Sequence, residues 1–483
     1  MTNLKKYCST ILFLFSIIVV TNCSWFSDGK NNQIINRDLD SIVTVGKLKA
    51  LINYSSTSYF IYKGAPMGFE YELLKKYADH IKVELEVIPI KNMDSIFVNL
   101  NKGVGDIVAA NLTITPERLK DIQFTVPIII TKQVLVQRKP DNWRKIKKTK
   151  LQKSLLQSPK DLINKTITVR EGSSFYTHLQ SLSDKIGGPI NITTVPGETT
   201  MELLIEQVAK KEIDYTVADK NIAIVNQWYY PNIDVNLIIS PDQRIAWSSR
   251  INSDSLTTSI NKWLLEYQKT KNFKMLYNKY FNNQAAFNKR VHHKYYTLTS
   301  GSISPYDELI KKYAPKANWD WELLAALIYQ ESHFNNGAIG WGGAFGLMQF
   351  MPETGAKFGV DSSSSAEANI IAGTRYINNL NKIWEPLVTD SLERIKFILA
   401  SYNVGPGHVL DAQKLAEKYE KNPILWEDVG YYLLHKSEPK YYNDEVVEFG
   451  YCKGFIVYDY VHEIIERYTH YKNMIIESEV AKQ

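Results

Sequence analysis

At 483 residues the chain exceeds one ordinary hydrophobic core, so two or three domains are expected. Its 44% hydrophobic and 22% charged content lie near the globular mean, which excludes long disorder and a polytopic membrane protein. The net charge of +6 suits an anionic wall or membrane surface; nucleic acid would need a concentrated basic face, and no nucleic-acid partner is expected.

Lys5 and Lys6 precede an apolar stretch over 11–20, the pattern of a secretory signal and too short for a transmembrane span of roughly 20 apolar residues. Cys23 follows directly and resembles a bacterial lipoprotein processing site. That resemblance implies a signal peptide over 1–23 and a lipidated Cys23 that anchors the chain to a membrane. Asn22 departs from the small residue usual before such a cysteine, which leaves open an uncleaved signal acting as the anchor. Ser24 resembles the sorting signal for the outer membrane, which places the protein on that membrane's periplasmic side. With the signal removed, Cys452 is the remaining thiol and no internal disulfide can form.

Residues 24–39 are polar and aperiodic, as a tether is. A first domain is read over 40–283. Apolar β-rich runs, 48–52 and 83–87, alternate with helical stretches, 71–80 and 95–102, and a second such segment follows with runs at 166–169 and 213–219. The alternation predicts an α/β domain of two lobes on a largely parallel sheet. Arg144, Lys145, Lys147, Lys148, Lys150 and Lys153 form a basic stretch between the lobes, read as a solvated surface insertion. Polar residues over 284–300 mark a linker, and 301–475 turns helical, with apolar residues at helical spacing to the end.

In that last region Leu324, Leu327, Ile328 and Glu331 fall at i, i+3, i+4 and i+7, so a carboxylate shares the apolar stripe. Desolvation there raises its pKa, as a proton donor working near neutral pH requires; a helix-end glutamate reaching solvent fits the spacing equally. Glycine-dense loops follow, Gly342 to Thr354 and Ala400 to Gly407, which let backbone approach a ligand, with Gln349 and Asn403 offering amide groups for N-acetyl and hydroxyl partners. Glu353 and Asp361 are the loop candidates for a second carboxylate, and both read more simply as solvated. The nine histidines show no metal-ligand spacing, so neither metal nor cofactor is expected; His333 and the pair His292 and His293 read as surface residues.

Glu331-Ser332, then Gly346-Leu347-Met348-Gln349-Phe350-Met351-Pro352-Glu353-Thr354, then Tyr402-Asn403-Val404-Gly405-Pro406-Gly407 occur in an order that resembles the lysozyme-like domain of the soluble-type lytic transglycosylases. The resemblance implies a mostly α-helical lysozyme-like (α+β) domain that cleaves peptidoglycan glycan strands with Glu331 as sole acid and base. It also implies Ser332, Gln349, Tyr402 and Asn403 as substrate contacts, and Tyr460 as a tyrosine near the acid. The expected reaction is non-hydrolytic, breaking the MurNAc-GlcNAc β-1,4 bond and leaving 1,6-anhydro-MurNAc ends. A hydrolytic muramidase and a catalytically inactive wall receptor are the alternatives.

Gly68 to Leu74, Gly105 to Arg118 and Ile213 to Asp219 resemble family 3 of the periplasmic solute-binding proteins, the amino-acid type, which implies a two-lobed α/β periplasmic-binding-protein fold. By that likeness Arg118 grips an α-carboxylate, Asp219 takes the α-amino group, and Thr113 and Ser174 add hydrogen bonds. The order of anchor, binding domain and transglycosylase domain resembles membrane-bound lytic murein transglycosylases. It implies that a wall-derived peptide or amino acid in the first domain modulates the second.

Overall fold

The computed structural model describes residue 35 and residues 37–480, with side chains to residue 474. Cys23, the signal and most of the tether lie outside the described residues. Among the described residues no helix is long and apolar enough to cross a membrane.

Among the described residues the first domain contributes all the regular strands: β1 (Lys47–Ile52), β2 (Phe60–Tyr62), β3 (Ala65–Met67), β4 (Glu84–Pro89), β5 (Ile107–Thr113), β6 (Ile122–Phe124), β7 (Ile129–Arg138), β8 (Thr166–Arg170), β9 (Asn191–Val195), β10 (Tyr215–Asp219), β11 (Ile233–Asp234) and β12 (Ile238–Arg250). They form a sheet in the order β4-β1-β5-β12-β7-β10-β8-β9, with β6 on β12 and β11 on β7, and a separate β2-β3 hairpin. The wings β4-β1-β5 and β10-β8-β9 are parallel, as the alternation of strand and helix predicts. The middle is not: β12 and β7 run antiparallel to each other and to their outer neighbours. The reason is connectivity, since β7 carries the chain out to the second lobe and β12 brings it back. The basic stretch between the lobes folds as a 3-10 turn, Trp143–Lys145, and a short helix, Lys148–Lys153, with all its cations exposed.

Residues 284–300 form two helices, Gln284–Val291 and Thr297–Ser300. Phe287, Val291 and Tyr296 are buried there, so the stretch between the domains is packed rather than strung out.

The second domain is helical, with isolated bridges Ile339 to Phe345 and Phe345 to Phe350 in place of a sheet. The C-terminal helix Gly454–Val480 packs on helices Trp321–Ser332, Ser391–Val404 and Trp426–Leu434 and also reaches β3 and β4 of the first domain. Four polar contacts fasten it there: Lys75 to Glu466 (3.2 Å), Tyr59 Oη to His470 Nδ1 (2.6 Å), Tyr471 Oη to the Gly64 carbonyl (2.7 Å), and Asn473 Nδ2 to the Val87 carbonyl (3.1 Å). Burial works against the ionised form of Glu466, yet His470 at 3.9 Å and the Lys75 ammonium at 3.2 Å hold it down at about 2.

One buried ion pair fixes the glycine-rich loop over 405–407. Asp411 and Lys436 are both fully buried and bonded to each other; Asp411 also accepts from the Glu448 and Phe449 amides, each at 2.9 Å. Phe449 is thereby held against Gly407, where an added Cβ would lie 2.5 Å from its ring. Removing one partner leaves the other charge buried alone. Asp411→Ala is therefore expected to cost about 3–5 kcal/mol in urea unfolding of the purified protein.

Candidate active site and ligand cleft

Helix Trp321–Ser332 is positioned by its apolar face, with Leu323 to Ile328 all buried. It ends one residue past Glu331: His333 and Phe334 take φ of 51° and 60°, which turns the chain away and leaves the carboxylate at the lip of the core. The Tyr460 hydroxyl, from the C-terminal helix, donates to Glu331 Oε1. Tyr402 lies in the same electrostatic neighbourhood, with its hydroxyl donated to the Met348 carbonyl at 2.8 Å and its ring 5.1 Å from Tyr376. Burial pushes the Glu331 carboxyl up to about 7, against the Tyr460 hydrogen bond, which favours the charged form. Burial and the facing Glu331 likewise raise the Tyr460 and Tyr402 hydroxyls well above their ordinary range.

The other expected contacts divide into two groups. Asn403 is exposed near the end of helix Ser391–Val404, open to a ligand. Gln349 instead braces its own loop, its Nε2 donating to the Ala338 and Gly346 carbonyls at 3.2 and 2.9 Å. Ser332 is buried with its hydroxyl returned to the Ile328 carbonyl at 3.2 Å, so its donor is spent inside the helix. Gly346 must be glycine on two counts: φ is 77°, and an added Cβ would sit 2.2 Å from Asn369 Oδ1. Glu353 is exposed, and exposed Asp361 is bound within its own loop by Ser363 and Ser364, so neither shares the hydrogen bonds of Glu331.

A cavity of about 680 Å³ lies between the two lobes of the first domain, and Glu331 does not line it. Thr113, Arg118, Ser174 and Asp219 all line this cavity. The lobes meet across it through Asn111 Nδ2 to Asp219 Oδ2 (2.9 Å) and Ser174 Oγ to Thr113 Oγ1 (3.2 Å). Asp219 keeps its other oxygen buried and unpartnered, and burial raises its carboxyl to about 7 against the pull of Asn111 and Arg118. Asn111, Arg170 and Glu202 line the cavity too and were not anticipated. The one signal for Arg170 was a cation ending the apolar run of β8 just before Gly172-Ser173-Ser174.

Comparison with known proteins follows this division. Residues 47–283 match the bacterial extracellular solute-binding proteins, family 3, and residues 308–425 match the transglycosylase SLT domain. A membrane-bound lytic murein transglycosylase F from Desulfosudis oleivorans is 34% identical over 464 residues, covering 95% of this chain and 96% of the relative. One from Photobacterium profundum is 30% identical over 463 residues, covering 94% and 85%. The chain belongs to the membrane-bound lytic murein transglycosylase F family.

Among solved structures, the ancestral amino acid-binding protein AncCDT-1 aligns with 50% of this chain and 98% of its own at a TM-score of 0.41 and 26% identity. Glu331, Gln349, Tyr402 and Asn403 fall inside the stretch matching the transglycosylase domain, whereas Tyr460 comes from beyond it. In this lytic transglycosylase F family member the tyrosine bonded to Glu331 is thus supplied by the same helix that fastens the first domain. Tyr460→Phe removes a bond that favours ionised Glu331, so the alkaline limb of the pH profile for murein cleavage should move above pH 7. The rate at the optimum should fall roughly tenfold as the acid loses its orientation.

Proposed function

We propose that the chain cleaves the MurNAc-GlcNAc β-1,4 bond of peptidoglycan by lytic transglycosylation, and that Glu331 is its single catalytic acid and base. The observation that carries this reading is one carboxylate, buried enough to be held near pH 7 and gripped by Tyr460, with no second acid on its hydrogen bonds. Protonated Glu331 gives its proton to the bridging oxygen as the bond to the anomeric carbon of MurNAc breaks, and the sugar's own N-acetyl group stabilises the developing charge. The Glu331 carboxylate then takes the proton of the 6-hydroxyl, whose oxygen closes on the anomeric carbon to form the 1,6-anhydro ring. No water is consumed, so one carboxylate suffices where a hydrolase ordinarily employs two. Asn403, open at the lip, is the residue best placed to meet an N-acetyl or hydroxyl group. Lipidation of Cys23 would hold the enzyme at the periplasmic side of the outer membrane, in keeping with the membrane-bound description of its relatives.

The first domain is proposed to bind a wall-derived peptide or amino acid and to adjust the acid site. Support comes from the segment 53–64, which has two faces. Asn53 and Ser55 to Ser58 line the ligand cavity, while Tyr59 bonds His470 and Gly64 accepts from Tyr471 on the helix that carries Tyr460. Gly64 also lies under Tyr329, two residues before Glu331; an added Cβ there would sit 2.6 Å from the tyrosine ring. A ligand shifts the acid site through this segment only by binding one arrangement better than another.

Mass spectrometry of the products from purified peptidoglycan tests the reaction. Anhydro-muramyl ends from the native protein, reduced about 10²-fold or more by Glu331→Gln, are expected. Reducing ends would mean a hydrolase, and no cleavage by either protein would mean a binding receptor. For regulation, saturating stem peptide should change the native cleavage rate and change it less in Tyr59→Phe; a rate indifferent to peptide would remove the modulating role.

A further inference from the structure

Two guanidinium groups enter the cleft from opposite lobes. Arg118 follows β5 in the first lobe, lies against the Phe97 ring at 5.6 Å, and donates through Nη1 to the Thr113 carbonyl at 2.8 Å. Arg170 is the last residue of β8 in the second lobe, and both line the main cavity and an annex of about 360 Å³. Among the described residues the Arg170 guanidinium donates no hydrogen bond and forms no ion pair. Asp94 and Glu202 feel its charge without coming within ion-pair distance. Glu202 is in any case engaged across the cleft with Ser55 and the Ser56 backbone. Arg170 is half-buried, so its guanidinium is only partly hydrated and has no bonded partner, and its neighbour Arg118 adds repulsion.

Charge balance then limits what can fill the cavity. Lys91, Glu198, Glu202 and Glu206 also line the cavity, but Glu206 is paired with Lys210, Glu198 accepts from Asn92 and Glu202 is held by Ser55, so Arg118 and Arg170 are the two cations, and Asp219 with its buried, unpartnered oxygen the carboxylate, that face the ligand space with valence to spare. A neutral zwitterion satisfies Arg118 and Asp219 and leaves Arg170 without a bonded partner. An inorganic or organic phosphate satisfies the arginines and sets its own negative charge against Asp219. A ligand end with two carboxylates and one ammonium answers all three groups. The first turn of helix Ser174–Ile186, which has no side-chain cap and opens at Ser174 onto the cavity, adds backbone donors on the same side as Arg170. The cavity volume exceeds a free amino acid and leaves room for a chain continuing beyond that end.

We infer that Arg170 is a second carboxylate-binding group in the cleft, and that the ligand is an acidic amino acid or a peptide whose bound end carries two carboxylates and one ammonium. This rests on the reading of the cleft as an amino-acid or peptide site. Glutamate and glutamine isolate the point, because they differ in one carboxylate and hardly in shape.

Isothermal titration of the full-length protein in detergent with L-glutamate and L-glutamine, and then with the D enantiomers, tests it. In one enantiomeric series glutamate should bind at least about tenfold tighter than glutamine. Arg170→Gln should erase that preference while moving glutamine affinity less than about twofold, and Arg170→Lys should keep part of it. Equal binding of acid and amide by the native protein, or an Arg170→Gln change that weakens both alike, would overturn the second carboxylate site while leaving the cleft an amino-acid site. Arg118→Gln should abolish binding of both. Absence of any binding by the native protein would overturn the amino-acid reading of the cleft and this inference with it.

Discussion

Everything at the candidate active site depends on how Glu331 holds its proton. Withdrawal from water favours the neutral carboxyl, and the Tyr460 hydrogen bond favours the ion; their balance leaves the group near 7. A group so poised can both give a proton and take one back near neutral pH, which is what the one-carboxylate reaction proposed above would ask of it. The balance is set by packing. The apolar stripe of helix Trp321–Ser332 fixes the depth of the carboxylate, and helix Gly454–Val480 fixes the tyrosine.

That second helix also joins the domains. Ten residues beyond Tyr460 it presents His470 to Tyr59, and Tyr471 to Gly64, so the tyrosine on the acid and the contacts with the first domain belong to one rigid element. A small displacement of segment 53–64 therefore cannot be absorbed by a loop before it meets the helix. Packed elements of this kind move as bodies, and the cost of moving one is shared with whatever it touches.

How much of this could be read beforehand differs from residue to residue, for physical reasons. The stripe ending in Glu331 was legible because helical periodicity is local. Tyr460 is 129 residues away, and nothing in periodicity says which of thirty tyrosines meets the acid. Gln349 and Ser332 were legible as polar residues of the right motifs, but a sequence carries residue type and not the direction of a donor, and both turn theirs into the protein. β12 was obscured by Pro241, Asp242, Gln243 and Arg244 in its middle, where its register against β7 also shifts. Polar residues made 284–300 look like a linker, although Phe287, Val291 and Tyr296 were there to pack it. Arg170 showed only as a charge at a strand end, because its meaning depends on Arg118 arriving from the other lobe.

The cleft adds a constraint on any ligand that enters it. Its lobes already meet through Asn111 with Asp219 and Ser174 with Thr113, so the groups fitted to bind a ligand are partly occupied by one another. Each such bond is worth only about 0.5–1.5 kcal/mol net, so a ligand that merely replaced them would gain little. What the protein cannot satisfy by itself are the charges: Arg170 without a partner and the buried free oxygen of Asp219. Selectivity should therefore reside in those groups, since the hydroxyl and amide contacts exist with or without a ligand, while the ionic ones appear only when a molecule of the right charge arrives.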